Sequence, residues 1–498
     1  MGITVAELAE RLSGRVIISS DVTDADVSAA DPESLTAHIL SYFEGKQGIK
    51  ILDKKALAEV LEQAATEKAP VEVEVIRSTQ FRPMAKEVHE KFEIKSSRIE
   101  KTVGTASSFV EYFNDRFENV RKLLENNRRL SSILNSIEAT KQYTTGREVS
   151  IIGIVFDKRV TKNGHILVTL EDQTSSAKVL FTKPTQQFGA ELFENAKHIA
   201  NDDIIAVRGK ISGPFVIANE IIWPDIPIKS RPSTEEDVAI AFLSDIHVGS
   251  KLFLEKNFNM LIRWLNGGVD YKKELAGKIK YIVLGGDLAD GIGVYPNQDR
   301  DLSVPDIYKQ YSLLFDFVEE IPDYIHVFAM PGNHDAVQLQ EPQPPLPSEL
   351  ISDFKRDNVH IISNPSSINI HGVKVLAYHG ASLDSIIHNI PGCSYAKPET
   401  AMIELLRRRH LSPIYGGNAI VPSKSDELVI KEAPDILHMG HIHKNALTEY
   451  HGTIVINSGT WQARTAYQIK QGHMPSPAIL PIYETKSMTV SQIDFNTI

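Results

Sequence analysis

Cysteine is almost absent: Cys393 stands alone in 498 residues. A single thiol excludes an internal disulfide and any multi-cysteine zinc site, and it agrees with a reducing compartment. Cys393 reads as a small buried or incidental residue. Long apolar runs are missing too. None approaches the roughly 20 residues that a membrane-spanning helix needs. The opening "MGITVAELAERL" is an amphipathic helix without the basic and apolar regions of a signal peptide. These absences predict a cytoplasmic, intracellular protein with no membrane partner. Positive charge is in deficit, the formal net charge being −11. That excludes a surface coated in basic residues but not a local basic groove, because divalent ions can supply positive charge at a phosphate. With 42% hydrophobic and 23% charged residues, the composition is that of a globular protein of two to four domains.

Residues 1–68 read as a small helical interaction module. Asp31 and Pro32 form an N-cap and first-turn pair for "PESLTAHILSYFEG", with Gly45 as its stop, and a second helical repeat runs from Asp53. Residues 69–105 show no sustained period and read as a linker. A helix then starts near Ser107 or Ser108, with Phe109, Phe113, Phe117, Val120 and Leu124 on one face. Such a stripe is expected to dock the helix on the domain that follows. From about residue 147 the period switches to two. "EVSIIGIVFDKRV" and "HILVTLEDQ" flank an Asn163-Gly164 hairpin turn, followed by "AKVLFTK", a helical stretch, "DIIAVRGKI" and "PFVIANEIIW". Three strands, a helix and two strands predict a small OB barrel, so residues 106–232 form a helix plus OB-fold domain. Lys158, Arg159, Lys162, Lys178 and Lys183 make a basic face on it or an ordinary solvated one.

Residues 233–498 alternate apolar strands with helical patterns, which predicts an α/β domain with its site where strands run out into loops. Five strand ends carry the chemistry. They are "LSDIHVGS" (Asp245, His247), "VLGGDLADG" (Asp287), "AMPGNHDA" (Asn333, His334), "LAYHG" (His379) and "HMGHIHK" (His441, His443). Singly each is weak, and His326, His360, His371, His388, His410, His438, His451 and His473 read as surface or hydrogen-bonded core residues. The ordered set is what counts. It offers only oxygen and nitrogen donors, suited to manganese, iron or zinc. A pair of such ions about 4 Å apart would grip a phosphate and activate water against it, which predicts phosphoester hydrolysis.

The five blocks resemble the D-x-H, G-D, G-N-H-D, H and G-H-x-H signature of the calcineurin-like metallophosphoesterases. That resemblance implies an α/β sandwich in which Asp245, His247, Asp287 and His443 hold one metal, and Asp287, Asn333, His379 and His441 the other. His334 would face the phosphate, stabilising charge or protonating the leaving oxygen, with Asp335 orienting it. A second likeness covers residues 105–498. "FVEYFNDRF", "GIVFDKRVTKNGHILVTLEDQT", "LSDIHVGSKLF" and "GDLADGIGVYPNQ" are similar to the small-subunit family of archaeal D-family DNA polymerases. It implies a proofreading 3′-to-5′ exonuclease that prefers manganese, acts on single-stranded or primer-template DNA and binds a separate large polymerising subunit. "GIGVYPNQDRDLSVPDIYKQY" and "QLQEPQPPLP" would be loops shaping the substrate channel.

Two other readings compete. A phosphatase or small-molecule phosphodiesterase would use the same metals, but the OB segment ahead of the site favours a nucleic acid. A purely scaffolding subunit would be marked by lost ligands, and here every ligand position is filled. The C-terminal "SQIDFNTI" invites comparison with a sliding-clamp peptide, lacks the paired aromatics, and reads as a strand end.

Overall fold

The computed structural model describes residues 3–28, 31–44, 46, 49–67, 81–97, 99, 104–127, 130, 133–184, 189–352, 354 and 356–498. The chain divides into two units, Met1–Gln80 and Phe81–Ile498.

In the first unit, local signals set the helix starts. Helix α1 (Val5–Leu12) opens on a Thr4–Glu7 capping box, and α3 (Pro32–Tyr42) opens on the Asp31 side chain, which accepts from the Ser34 N–H. With α2 (Asp24–Val27), α4 (Lys54–Glu67) and the parallel pair β1 (Ile17–Ile18) and β2 (Ile51–Leu52), they enclose a core of Leu8, Leu12, Val27, Leu35, Ile39, Leu57 and Val60. Gly45, the expected stop, lies outside the described residues.

The second unit begins with a departure from expectation. Residues 92–96, read as linker, form β3 (Phe92–Ser96), which pairs antiparallel with a strand of the main domain. "FEIKS" is short and half-charged, as an edge strand often is. Its apolar members reach inward, Phe92 packing its ring on Tyr281 and Phe328. Residues 69–80, 98 and 100–103 of that stretch are outside the described residues.

Helix α5 (Ala106–Glu125) is capped by Thr105. After it, β4 (Glu148–Val160), β5 (Ile166–Glu171), β6 (Ser176–Phe181), α6 (Ala190–Lys197), β7 (Ile204–Ser212) and β8 (Phe215–Ile222) follow the expected order. The strands close into a barrel, β4-β5-β6-β8-β7, as the period-two pattern predicts. Phe117, Val120 and Leu124 of α5 pack on Ile152, Ile204 and Ile222 of the barrel.

The buried side of α5 extends beyond the aromatic stripe. It includes Tyr112 and Arg116. Arg116 Nε donates to Asp426 Oδ2 at 2.6 Å, and one of its terminal nitrogens to the Pro413 carbonyl at 3.1 Å. His410 Nε2 stands 2.8 Å from the same Asp426 oxygen. Burial alone would raise the Asp426 carboxyl; His410 and Arg116 instead hold it well below the ordinary carboxylate range. Arg116→Ala would strand a buried carboxylate and should cost about 3–5 kcal/mol of stability at neutral pH, read as a lower urea midpoint of the full chain. A carboxyl depressed in the folded state stabilises above its unfolded pKa of about 4, and that contribution fades as pH falls below it. The gap between wild type and variant should therefore narrow in acid. An equal gap at pH 3 and pH 7 would contradict the pairing.

The main domain is built on two six-stranded sheets. The first runs β12 (Val359–Ile361), β11 (His326–Met330), β10 (Ile279–Gly285), β9 (Ala239–Leu243), β18 (Ile479–Glu484), β19 (Thr489–Asp494). The second runs β16 (Asn445–Tyr450), β17 (Thr453–Ser458), β15 (Ile436–Met439), β14 (Val373–Ala377), β13 (Ser366–Ile370), β3. Ile240, Phe242, Val283 and Phe328 of one sheet share a core with Ile368, Val375, Ile436 and Ile456 of the other, so the sheets pack face to face. Helices α7 (Glu255–Leu265), α8 (Lys273–Ala276) and α9 (Ile307–Glu319) cover the first sheet. Helices α10 (Leu383–Asn389) and α11 (Pro398–Arg408) cover the second, and α12 (Ala466–Gln471) follows β17. Strands β9, β10 and β11 are parallel, as are β14, β15 and β17. All five chemical blocks therefore emerge at the carboxyl ends of parallel strands. "SQID" lies in β19.

Candidate metal centre

Five of the site residues turn the chain sharply where their strands end. Asp245, His247, Asp287, His441 and His443 have φ of 52°, 54°, 51°, 67° and 58°, in the left-handed region. Such conformations cost of order 1–3 kcal/mol each and persist only where surroundings fix them. Here the loops fix one another. Asp245 N–H donates to the Gly286 carbonyl at 2.9 Å, His247 N–H to the Asp287 carbonyl at 3.1 Å, and His441 N–H to Asp245 Oδ2 at 2.9 Å. Glycine makes the close approaches possible: a Cβ at Gly440 would stand 2.3 Å from Asp245 Oδ2, and one at Gly332 2.2 Å from Asp287 Oδ1. Gly440→Ala should displace the Asp245 carboxylate and weaken the binding of any divalent cation held here by about 10–100-fold, measured by titrating wild type and variant with manganese; equal affinity in the two would show that this carboxylate is not needed.

The structure brings all seven expected ligands together. His443 Nε2 is 3.0 Å from His247 Nε2 and 3.3 Å from Asp245 Oδ1. Asp287 Oδ2 lies 3.9 Å from His247 Nε2 and 3.3 Å from His379 Nε2, between the two groups. Asn333 Oδ1 is 2.9 Å from both His379 Nε2 and His441 Nδ1. Asp245, Asp287 and His379 are buried, as are His247 and His443.

Proton placement at His379 and His441 fits a cation between them, whereas at His443 the Gln468 amide donates to Nδ1 and leaves the neutral ring's proton on Nε2. His379 Nδ1–H donates to the Gly285 carbonyl at 2.9 Å, so Nε2 is the atom turned on the Asn333 and Asp287 oxygens, carrying a proton when the ring is charged and a lone pair when a cation takes that proton's place. His441 Nε2–H donates to Asp384 Oδ2 at 3.0 Å, so Nδ1 turns its lone pair on Asn333. His247 Nδ1 is 3.1 Å from Asp290 Oδ1, off the axis of a good hydrogen bond, and its Nε2 faces another imidazole nitrogen. Lone pairs converging on acceptors repel unless positive charge sits among them. The pocket draws such charge. Burial would lower the His379 imidazole, yet the Asp287 carboxylate carries it up to about 10. Burial would raise Asp384, yet the His441 hydrogen bond and charge bring it to about 2.

His334 sits beside this cluster. Its N–H donates to Asp287 Oδ1 at 2.8 Å and its ring Nδ1–H to the Asp290 carbonyl at 2.8 Å, and Nε2 makes no hydrogen bond among the described residues. With His247 and Asp290 it also offers a third group of donor atoms, all within 4.8 Å of one another. Asp335 does not orient it. The Asp335 carboxylate accepts from the Gly332, Leu288 and Ala289 N–H groups and from the Tyr311 hydroxyl, at 2.8 to 3.1 Å. Adjacent residues point apart, and Asp335 bolts the loop after β10 to the loop after β11.

Three residues escaped the sequence reading. Asp290 belongs to the "VLGGDLADG" block, three places after Asp287, and a second carboxylate there was the available signal. Asp384 opens α10. Gln468 of α12, with Nε2 2.9 Å from His443 Nδ1, follows no motif at all. Histidines expected in the core are found there: His438 is buried, pushed down to about 3 by burial and held 2.9 Å from the Ser458 hydroxyl, and His410 serves Asp426. On the barrel, Lys158 donates to the Lys197 and Ile199 carbonyls, so of the two readings of that lysine-rich face it supports neither a free basic groove nor a merely solvated chain at this position.

The sequence of this chain matches known families and relatives. A family model describing the B subunits of DNA polymerases alpha and epsilon matches residues 240–447, and one described as OB-fold nucleic acid binding domain matches residues 149–219. A DNA polymerase II small subunit of Methanocaldococcus jannaschii is 41% identical over 76% of this chain and 64% of its own length. That of Archaeoglobus fulgidus is 42% identical over 76% of this chain and 75% of its own. The chain belongs to the DNA polymerase II small subunit family. It spans just under two thirds of the Methanocaldococcus relative. A solved structure titled as a novel archaeal phosphodiesterase aligns with 51% of this chain and 99% of its own at 15% identity and a TM-score of 0.26, too distant to bear on fold or chemistry. Among the described residues no helix is long and apolar enough to cross a membrane.

Proposed function

We propose that the chain is the 3′-to-5′ exodeoxyribonuclease subunit of a heteromeric replicative DNA polymerase, in which a separate large subunit carries polymerisation. The observation that carries this reading is the convergence of inward-facing histidine nitrogens and carboxylates around Asp287, in a chain of the polymerase small-subunit family. The two-sheet domain is read as a calcineurin-like phosphoesterase, preceded by an OB barrel that would bind single strands by stacking and backbone contact.

Asp245, His247, Asp287 and His443 would hold one divalent cation, and Asp287, Asn333, His379 and His441 a second. Their oxygen and nitrogen donors suit manganese, with iron or zinc as alternatives. Bound cations supply Lewis acidity at the phosphate and lower the pKa of water. The residues contribute the rest. Asp287 places one oxygen between the two groups of histidines and commits the other to the His334 N–H. His334, its Nδ1–H committed to the Asp290 carbonyl, keeps Nε2 for the substrate, and in its protonated form would give that proton to the leaving 3′ oxygen of the shortened strand. Asp384 and Gln468 hydrogen-bond the rings of His441 and His443, Asp290 stands 3.1 Å from His247 Nδ1, and Asp335 holds the loops.

The test is digestion of a 5′-labelled single strand with manganese, by the full chain alone and with the large subunit added. A ladder shortening from the 3′ end is the expected result. Intact strands in both conditions, alongside manganese-dependent hydrolysis of a small phosphodiester, would keep the reaction type and overturn the DNA substrate.

A further inference from the structure

The loop after β10, residues 291–301, runs past the metal centre and is held from inside. Buried Gln298 donates to the Asp290 carbonyl at 2.8 Å and accepts from the Val294 N–H at 2.9 Å. Gly291 N–H donates to Gln310 Oε1 at 2.9 Å, and the Tyr295 hydroxyl to Asp301 Oδ2 at 3.1 Å. From this frame Ile292, Val294 and Tyr295 project with 50%, 36% and 37% of their surface exposed. Three exposed apolar side chains on a tethered loop at the mouth of a charged site mark a contact surface. The Tyr295 ring lies 6.3 Å from the His334 ring, tilted by 58°, and among the described residues it has no other ring neighbour. Tyr395, tied to Asp384 at 2.9 Å, differs: its face is covered by His473, stacked at 4.3 Å. Tyr295 is thus an aromatic face left open next to the histidine assigned to the leaving oxygen.

We propose that Tyr295 is a base-stacking residue that positions the nucleotide beside the scissile phosphate, so that hydrolysis depends on the presence of a nucleobase there but not on which one. Stacking on an aromatic face accepts any base, because every base has a π-face. The backbone phosphate of the same nucleotide would then fall to the cations and His334. This inference rests on the nuclease reading above. A protein-contact role for the same three side chains is the competing outcome, and the continuity of Tyr295 with His334 favours the nucleic acid.

The experiment compares single strands ending in a normal nucleotide with strands ending in an abasic tetrahydrofuran residue, using full-length wild type, Tyr295→Ala and Tyr295→Phe in manganese. Wild type and Tyr295→Phe should show a KM about tenfold lower for the base-bearing end, the size expected of one stacked base. Tyr295→Ala should lose that preference, with kcat on the abasic end and manganese content unchanged. Slowing on both ends alike, or a preference that survives in Tyr295→Ala, would overturn the proposal. If that surviving preference came with lost association with the large subunit, the surface would be a protein contact instead. If wild type cleaved a small phosphodiester but neither strand, the nuclease reading itself would fall, a result distinct from cleavage with an intact preference in Tyr295→Ala.

Discussion

Asp287→Ala should reduce strand hydrolysis to background and strip manganese from the protein, the largest effect expected of any single substitution. One oxygen of Asp287 stands 3.3 Å from His379 Nε2 and 3.9 Å from His247 Nε2, and the other accepts the His334 N–H at 2.8 Å. Removal takes a donor from both groups and the tether from the loop that carries Asn333 and His334. It also takes away the carboxylate that carries His379 up to about 10, and with it much of the pull on positive charge. Asp287→Asn separates these losses. The amide oxygen can still accept from His334 N–H, so the loop stays placed, while the missing negative charge still weakens cation binding. Elemental analysis beside the labelled-strand assay decides the matter. Near-normal manganese with near-normal cleavage in either variant would mean that Asp287 is not shared between cations.

His334→Ala should lower kcat by roughly 10²–10⁴-fold, the range for a positioned proton donor, with manganese content close to wild type. The asymmetry with Asp287 is the point of the experiment. The ring uses Nδ1–H on the Asp290 carbonyl and its Nε2 makes no hydrogen bond among the described residues, whereas the seven proposed ligands face one another. His334 does share a third donor group with His247 and Asp290. Loss of manganese equal to that of Asp287→Ala would therefore reassign His334 as a ligand. A leaving group of low pKa, such as a nitrophenolate, needs no proton, so the variant should keep most of its activity on a nitrophenyl phosphodiester.

Strand ends were the legible part of this chain. β9, β10, β11, β14 and β15 are short, mostly apolar strands of four to seven residues, each followed within three residues by Asp, Asn or His, and period and residue type are both local properties. The barrel was legible for the same reason. Its strands alternate, and Asn163-Gly164 turns the first hairpin, Gly164 at φ 78°. β3 was not: five residues, of which Glu93 and Lys95 are charged, carry too little pattern to show that they pair with β13. Arg116 was invisible as a core residue because its partner Asp426 is remote in sequence, and an arginine within an aromatic stripe reads as its solvent side. Asp335 shows the opposite error. Nearness to His334 in the chain suggested contact, but consecutive side chains in a tight loop diverge, and its carboxylate is filled by four other donors. Asp384 and Gln468 come from helices beyond the motifs, where only the folded chain brings them to His441 and His443.

The pairing of β3 with β13 also sets an order of events during synthesis. Ser96 and Ser366, joined through their hydroxyls, are 270 residues apart. The ribosome delivers β3, then α5 and the whole barrel, before the strand that β3 must meet exists. At about 5–20 residues per second that wait lasts on the order of ten seconds or more. Through it the barrel can close by itself, since all five of its strands are contiguous in the chain, while β3 hangs unpaired upstream. The same arrangement defeats simple dissection: a fragment cut just before the barrel or before β9 would expose the β13 edge and bare the hollow that Phe92 fills, so the main domain is divided between two stretches of chain that must be kept together.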